Sequence, residues 1–100
     1  LMSYLKETHD TAIAYIHENL QGINALQAEG TYLLWLDCRA LEMSDVQLTD
    51  FFLYKAKVGL SAGTVFGAEG SGFMRMNLGA PRKTIMKALE RVRNAMISLE

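Results

Sequence analysis

Residues 58–81 read VGLSAGTVFGAEGSGFMRMNLGAP, a glycine-rich loop running into a short apolar strand that carries one arginine. Successive side chains of a strand point to opposite faces, so Phe73, Arg75 and Asn77 share one face and Met74, Met76 and Leu78 the other. A guanidinium is a rigid, permanently charged fork that matches a carboxylate or phosphate with two parallel hydrogen bonds. Arg75 is therefore a candidate for holding an anion beside the loop. A solvent-facing or structurally paired arginine fits the same pattern.

Outward from this stretch the pattern predicts helix, strand, strand, helix, strand, loop, strand, helix. Leu5, Ala12, Ile13, Ile16 and Leu20 recur near helical spacing opposite Lys6, Glu7, Asp10, Glu18 and Asn19, which predicts an amphipathic helix of about five turns over 3–20. Gly22 closes it, and residues 23–27 form a short strand. The Glu29-Gly30 pair turns the chain into TYLLWLD, residues 31–37. There Tyr32, Leu34 and Leu36 fall on one face and Leu33 and Trp35 on the other. Both faces are apolar, which places this strand inside a sheet. Ser44 as N-cap with Gln47 three residues on makes a capping box, and Met43 with Leu48 a hydrophobic staple. Leu48, Phe51, Phe52 and Ala56 form the buried side of that helix, and Gly59 marks or follows its end. Pro81 opens the last helix. Ile85, Ala88, Leu89, Val92, Met96 and Leu99 make its apolar stripe, against a wet face of Lys83, Lys87, Glu90, Arg91 and Asn94.

One hundred residues at 50% hydrophobic content suit a single domain, 1–100, with a real core. A net charge of −1 argues against a nucleic-acid-binding surface, which normally gathers a basic excess. No apolar run approaches the ~20 residues of a membrane span. The single cysteine cannot form an internal disulfide, so a cytoplasmic setting is the expectation. The run GAEGSG over 67–72 lacks the lysine and the following helix of a phosphate-binding loop. His9 and His17 are eight apart with no partner in a zinc-binding pattern, and both are expected at the surface. Cys38 is expected to be buried and inert. No nucleophile elbow occurs, because Glu69 stands two before Ser71.

Three segments together, EGTYLLWLDCRAL (29–41), SDVQLTDFFLYKAKVGL (44–60) and GTVFGAEGSGFMRMNLGAPR (63–82), resemble the C-terminal small domain of class I/II pyridoxal-phosphate (PLP) enzymes. The nearest resemblance is to the cystathionine β-lyase or C–S lyase branch of the aminotransferases. It spans essentially the whole chain, rests on the Glu-Gly-Thr-Tyr turn combined with the Phe-Gly…Gly-Phe-x-Arg-x-Asn order, and covers roughly the last quarter of such an enzyme. Gln21 and Ala28 stand where relatives often have proline, and Ser61-Ala62-Gly63 replaces a common form of the loop.

The resemblance implies that Arg75 binds the α-carboxylate of an amino-acid substrate and that Thr64 and Phe66 lie on a loop near the substrate entrance. It implies PLP as cofactor, the enzyme's own PLP-binding large domain as partner, and a homodimer when intact. None of Lys6, Lys55, Lys57, Lys83 or Lys87 sits in the Ser-x-Ser/Thr-Lys context of the lysine that forms a Schiff base with PLP. No catalytic residue is therefore expected in this chain, and it is expected to be inactive alone. The predicted fold is α+β, a short, mainly antiparallel sheet with helices packed on one side. The expected reaction of the intact enzyme is β-elimination from a cysteine S-conjugate, with transamination second. A different class, a stand-alone amino-acid-binding regulatory module with ferredoxin-like topology, accommodates the strand-helix-strand-strand-helix order from Thr31 onward.

Overall fold

The computed structural model describes residues 2–27, 33–67 and 70–99, with backbone alone at 2–5, 27, 65 and 66. The described residues form a helix α1 (Met2–Asn19), strands β1 (Asn24–Gln27) and β2 (Leu33–Asp37), and a helix α2 (Asp45–Asp50) that continues as a wider π-helical turn (Phe51–Lys55). A two-residue strand β3 (Ser61–Ala62), strand β4 (Phe73–Asn77) and helix α3 (Arg82–Ile97) follow. The sheet order is β1-β2-β4-β3 and every neighbouring pair is antiparallel. β4 is inserted between β2 and β3, so those two run parallel and α2 carries the chain across. This is the expected α+β architecture. The Glu29-Gly30 turn and the start of the TYLLWLD strand lie outside the described residues.

Period-two burial gives the sheet two unlike faces. Ala25, Leu34, Leu36, Met74 and Met76 are buried under the helices, with Ala12, Ile16, Leu20, Leu48, Phe52, Ile85, Leu89 and Val92 completing the core. The end of α1 and the start of α2 each have a local cause. Gly22, at φ 91, ends α1, and Ile23 N donates to the Leu20 carbonyl at 3.2 Å. The Ser44 hydroxyl accepts from Gln47 N at 3.1 Å while the Gln47 side chain accepts from Ser44 N at 2.9 Å, the capping box the spacing predicts.

Three local expectations change. The helix begun at Ser44 does not stay α-helical: Ala56 N reaches the Phe51 carbonyl and Val58 N the Phe52 carbonyl, each at 2.9 Å. That widening lets two consecutive aromatics, Phe51 and Phe52, both enter the core edge-to-face at 5.2 Å. The chain then leaves the helix at Lys57, in the left-handed region at φ 59, two residues before Gly59. His9 is not a surface residue but is 5% exposed, because positions 9, 12 and 16 share one helical face with Ala12 and Ile16. His17 is exposed as expected. Leu99 is half-exposed at 50%, and Ala95 takes its place at the end of the buried stripe of α3.

Candidate substrate-binding face

The face of the sheet turned away from the helices carries the candidate site. On β4 the half-buried Phe73 and Arg75 alternate with the buried Met74 and Met76, as the period-two pattern requires. Register sets the neighbours of Arg75: Trp35 opposite it on β2 and Ser61 opposite it on β3. Asp37 lies opposite Phe73 on β2, and Asn24 and Leu26 on β1 extend the two rows. The Trp35 and Phe73 rings meet edge-to-face, 6.5 Å between centroids at 88°. The arginine thus stands beside an aromatic wall.

Arg39, in the 3₁₀ turn Arg39–Leu41, closes that wall from above. Its guanidinium lies 5.0 Å over the Phe73 ring and donates to both Asp37 carboxylate oxygens, at 2.9 and 2.8 Å. The Arg39 side-chain hydrogen bonds hold the Asp37 carboxyl below its ordinary range. Arg39 is committed to Asp37. Neither residue was singled out in the sequence, although an Asp-x-Arg pair at a strand end is the spacing that permits this fork.

The glycine-rich segment enters β4 through a gripped residue. Gly72 N donates to Asp45 Oδ1 at 2.8 Å and Ser71 Oγ donates to Asp45 Oδ2 at 2.7 Å. The Gly72 carbonyl accepts from Cys38 N at 2.9 Å. Gly72 has φ 83, and a Cβ there would come within 2.6 Å of Arg39 Cγ. At Gly63 and Gly70 the absence of a side chain is required by packing. The two backbones cross so closely that a Cβ on either would collide with the other's carbonyl oxygen.

Thr64 is exposed in the 3₁₀ turn Gly63–Phe66, which follows directly on β3, and its carbonyl accepts from Gly67 N at 3.2 Å. The side chain of Phe66 lies outside the described residues, so this pair is not brought together with Arg75 by any described contact. Cys38 is 1% exposed, and burial pushes its thiol up to about 12. Lys6, Lys55, Lys83 and Lys87 lie in helices and Lys57 in the loop after the π-helical turn, and all five are exposed. None lies on the sheet face that bears Arg75. Among the described residues no group of three or more His, Cys, Asp or Glu side chains is placed to hold a metal ion, and no helix is long and apolar enough to cross a membrane.

The sequence model of the family "Aminotransferase class I and II" matches residues 2–92. The chain belongs to this family. The cystathionine beta-lyase PatB of Bacillus subtilis (strain 168) is 34% identical over 96 residues, covering 96% of this chain and 25% of that protein. Among solved structures, cystalysin from Treponema denticola, which contains a pyridoxal 5'-phosphate cofactor, superposes with a TM-score of 0.91 at 35% identity over 98% of this chain and 25% of its own. A PLP-bound candidate aminotransferase from Clostridium difficile 630 gives 0.89 at 45% identity, over 94% and 24%. This aminotransferase-family chain spans about a quarter of the length of the relatives it matches.

Proposed function

We propose that the chain is the C-terminal small domain of a larger PLP-dependent enzyme and that Arg75 binds the α-carboxylate of its amino-acid substrate. The observation that carries this reading is the two-sided sheet: Arg75 stands on the open face next to Trp35 and Phe73, and no lysine lies on any of its strands. No lysine is placed to hold the PLP aldehyde from this side, so the cofactor's site is assigned to the large domain. Acidifying a Cα proton is the chemistry PLP supplies when bound. What this domain contributes is orientation.

A carboxylate accepting two parallel hydrogen bonds from Arg75 is fixed in plane as well as position, which sets the direction of the neighbouring Cα–H bond. The Trp35–Phe73 wall, closed by Arg39, provides an apolar flank that keeps water from that ion pair. Thr64 and Phe66 are assigned to the entrance loop. The proposed reaction is β-elimination from a cysteine S-conjugate such as cystathionine, releasing a thiol, ammonia and pyruvate. Similarity to the cystathionine beta-lyase PatB supports this reading, and similarity to the candidate aminotransferase of Clostridium difficile 630 supports transamination as the second. The intact enzyme is proposed to be a homodimer acting in the cytoplasm.

The test is to supply the full-length enzyme with PLP and cystathionine. Release of pyruvate and thiol in equal amounts with no 2-oxo acid acceptor added is the expected result. Turnover that requires a 2-oxo acid acceptor would identify a transaminase instead, and no turnover of either kind would overturn the reading.

A further inference from the structure

We propose that Asp45 is a positioning residue: by holding Ser71 and Gly72 it fixes the register at which β4 begins, and so keeps Arg75 on the open face. This rests on the carboxylate-binding reading of Arg75.

The geometry is specific. Asp45 is the first residue of α2, and it reaches across 26 and 27 positions of sequence to take one hydrogen bond on each carboxylate oxygen. Its two partners are the last two residues before β4. Gly72 is held from the other side by Cys38 N, which continues the β2–β4 ladder past the Asp37–Phe73 pair. The missing Cβ of Gly72 makes room for the Arg39 stem, so the entry to β4 is closed on three sides.

Register matters here because side chains alternate with a period of two. A slip of one residue turns every side chain of β4 to the other face, which would send Arg75 toward the core and Met74 and Met76 outward. The strand is only five residues long, its far neighbour β3 only two, and the segment before it is rich in glycine. Burial of Met74 and Met76 and the five-residue pairing with β2 oppose such a slip from within the sheet. Asp45 supplies a fixed point outside the sheet, at the N-terminus of a capped helix whose π-helical continuation is anchored in the core by Phe51 and Phe52.

The experiment compares Asp45→Ala, Asp45→Asn and Arg75→Ala in the full-length enzyme. The amide of Gly72 should exchange at least about tenfold faster in Asp45→Ala, and KM for the amino-acid substrate should rise about 3- to 10-fold with kcat little changed. An amine substrate lacking the α-carboxylate should be unaffected. Asp45→Asn should retain most of both properties, because the amide oxygen still accepts from Gly72 and the Ser71 hydroxyl can turn to accept. That variant also removes the charge, so its retention separates a hydrogen-bonded anchor from a mere helix-dipole effect. Unchanged exchange at Gly72 in Asp45→Ala, or an equal rise in KM for the amine, overturns the proposal. If Arg75→Ala itself fails to distinguish the two substrates, the carboxylate reading falls first and this inference falls with it. If Arg75→Ala distinguishes them and Asp45→Ala does not, only the positioning role is lost.

Discussion

Replacing Arg75 with alanine in the full-length enzyme should remove most turnover of amino-acid substrates while leaving the fold intact. The side chain lies on the open face, and its strand neighbours Met74 and Met76 supply the core contacts of β4, so the deletion makes no cavity under the helices. On the proposed function the loss in turnover is that of the ion pair with the substrate carboxylate. Arg75 is half-buried, opposite Trp35 and two residues from Phe73, so a bound carboxylate is shielded from water on the aromatic side. Truncating one partner of a desolvated, hydrogen-bonded charge pair costs about 2–5 kcal/mol. At ~1.36 kcal/mol per tenfold, that is a fall in kcat/KM of roughly 30- to 5,000-fold. Arg75→Lys should recover only part of it, because an ammonium cannot reproduce the planar fork. The assay runs each variant on cystathionine and on an amine lacking the α-carboxylate, with a denaturant midpoint as the folding control. Equal losses on the two substrates, or a variant that simply unfolds, would show that Arg75 is structural and that the assignment is wrong.

Leu89→Ala should cost about 2–5 kcal/mol, because Leu89 is 0% exposed in the stripe of α3 and its removal leaves a cavity; Val46→Ala, at a site 72% exposed, should stay within about 0.5 kcal/mol. Urea midpoints measure both, and equal effects would refute the assigned core. Gly63→Ala should destabilise the loop crossing with Gly70, since no shift of a flexible side chain can relieve a collision with backbone; a midpoint as high as the parent's would count against the crossing. The carboxyls of Asp37 and Asp45 both lie below their ordinary 3.8, held there chiefly by the Arg39 and Ser71 side chains respectively. A depressed folded-state value means that their stabilisation is complete above 3.8 and is lost as pH falls through the lower folded values. Stability should therefore drop in that acid window, and Asp37→Asn should flatten the drop. Cys38 should resist thiol reagents at neutral pH until the protein is denatured, being 1% exposed with its thiol near 12; rapid stoichiometric labelling of the native protein would contradict this.

What could be read in the sequence is what short-range physics decides. The Ser44–Gln47 capping box is a pattern of four residues, the Gly22 stop is a single residue, and the sidedness of Phe73, Arg75 and Asn77 follows from the pleat alone. The inward position of His9 follows from the same logic, since positions 9, 12 and 16 lie on one face. The π-helical turn was not legible, because the widening depends on Phe51 and Phe52 finding room together in a core built from distant elements. Sheet order was not legible either. Nothing local says that β4 pairs with β2 and β3 at once, and so nothing local says that Trp35 and Ser61 flank Arg75 or that Asp45 meets Ser71.

The division of charge across the sheet connects these levels. The four-stranded sheet of the described residues leaves Leu26, Leu33, Trp35 and Phe73 partly open on the face away from its helices, Leu26 at 43%, an apolar row that water disfavours. The same face carries Asp37 and Arg39, satisfied by each other, and Arg75, held at a position that register alone determines. No lysine lies on a strand of the sheet. A surface of this kind is suited to lie against a second protein body with an anionic small molecule between them. On the proposed function, burial of the aromatic row would supply the attraction between the bodies, and the arginine fork the selection for an α-carboxylate. Affinity and specificity thus fall to different residues of one face, and that is why removing Arg75 should change which substrate is turned over more than it changes how the domain folds.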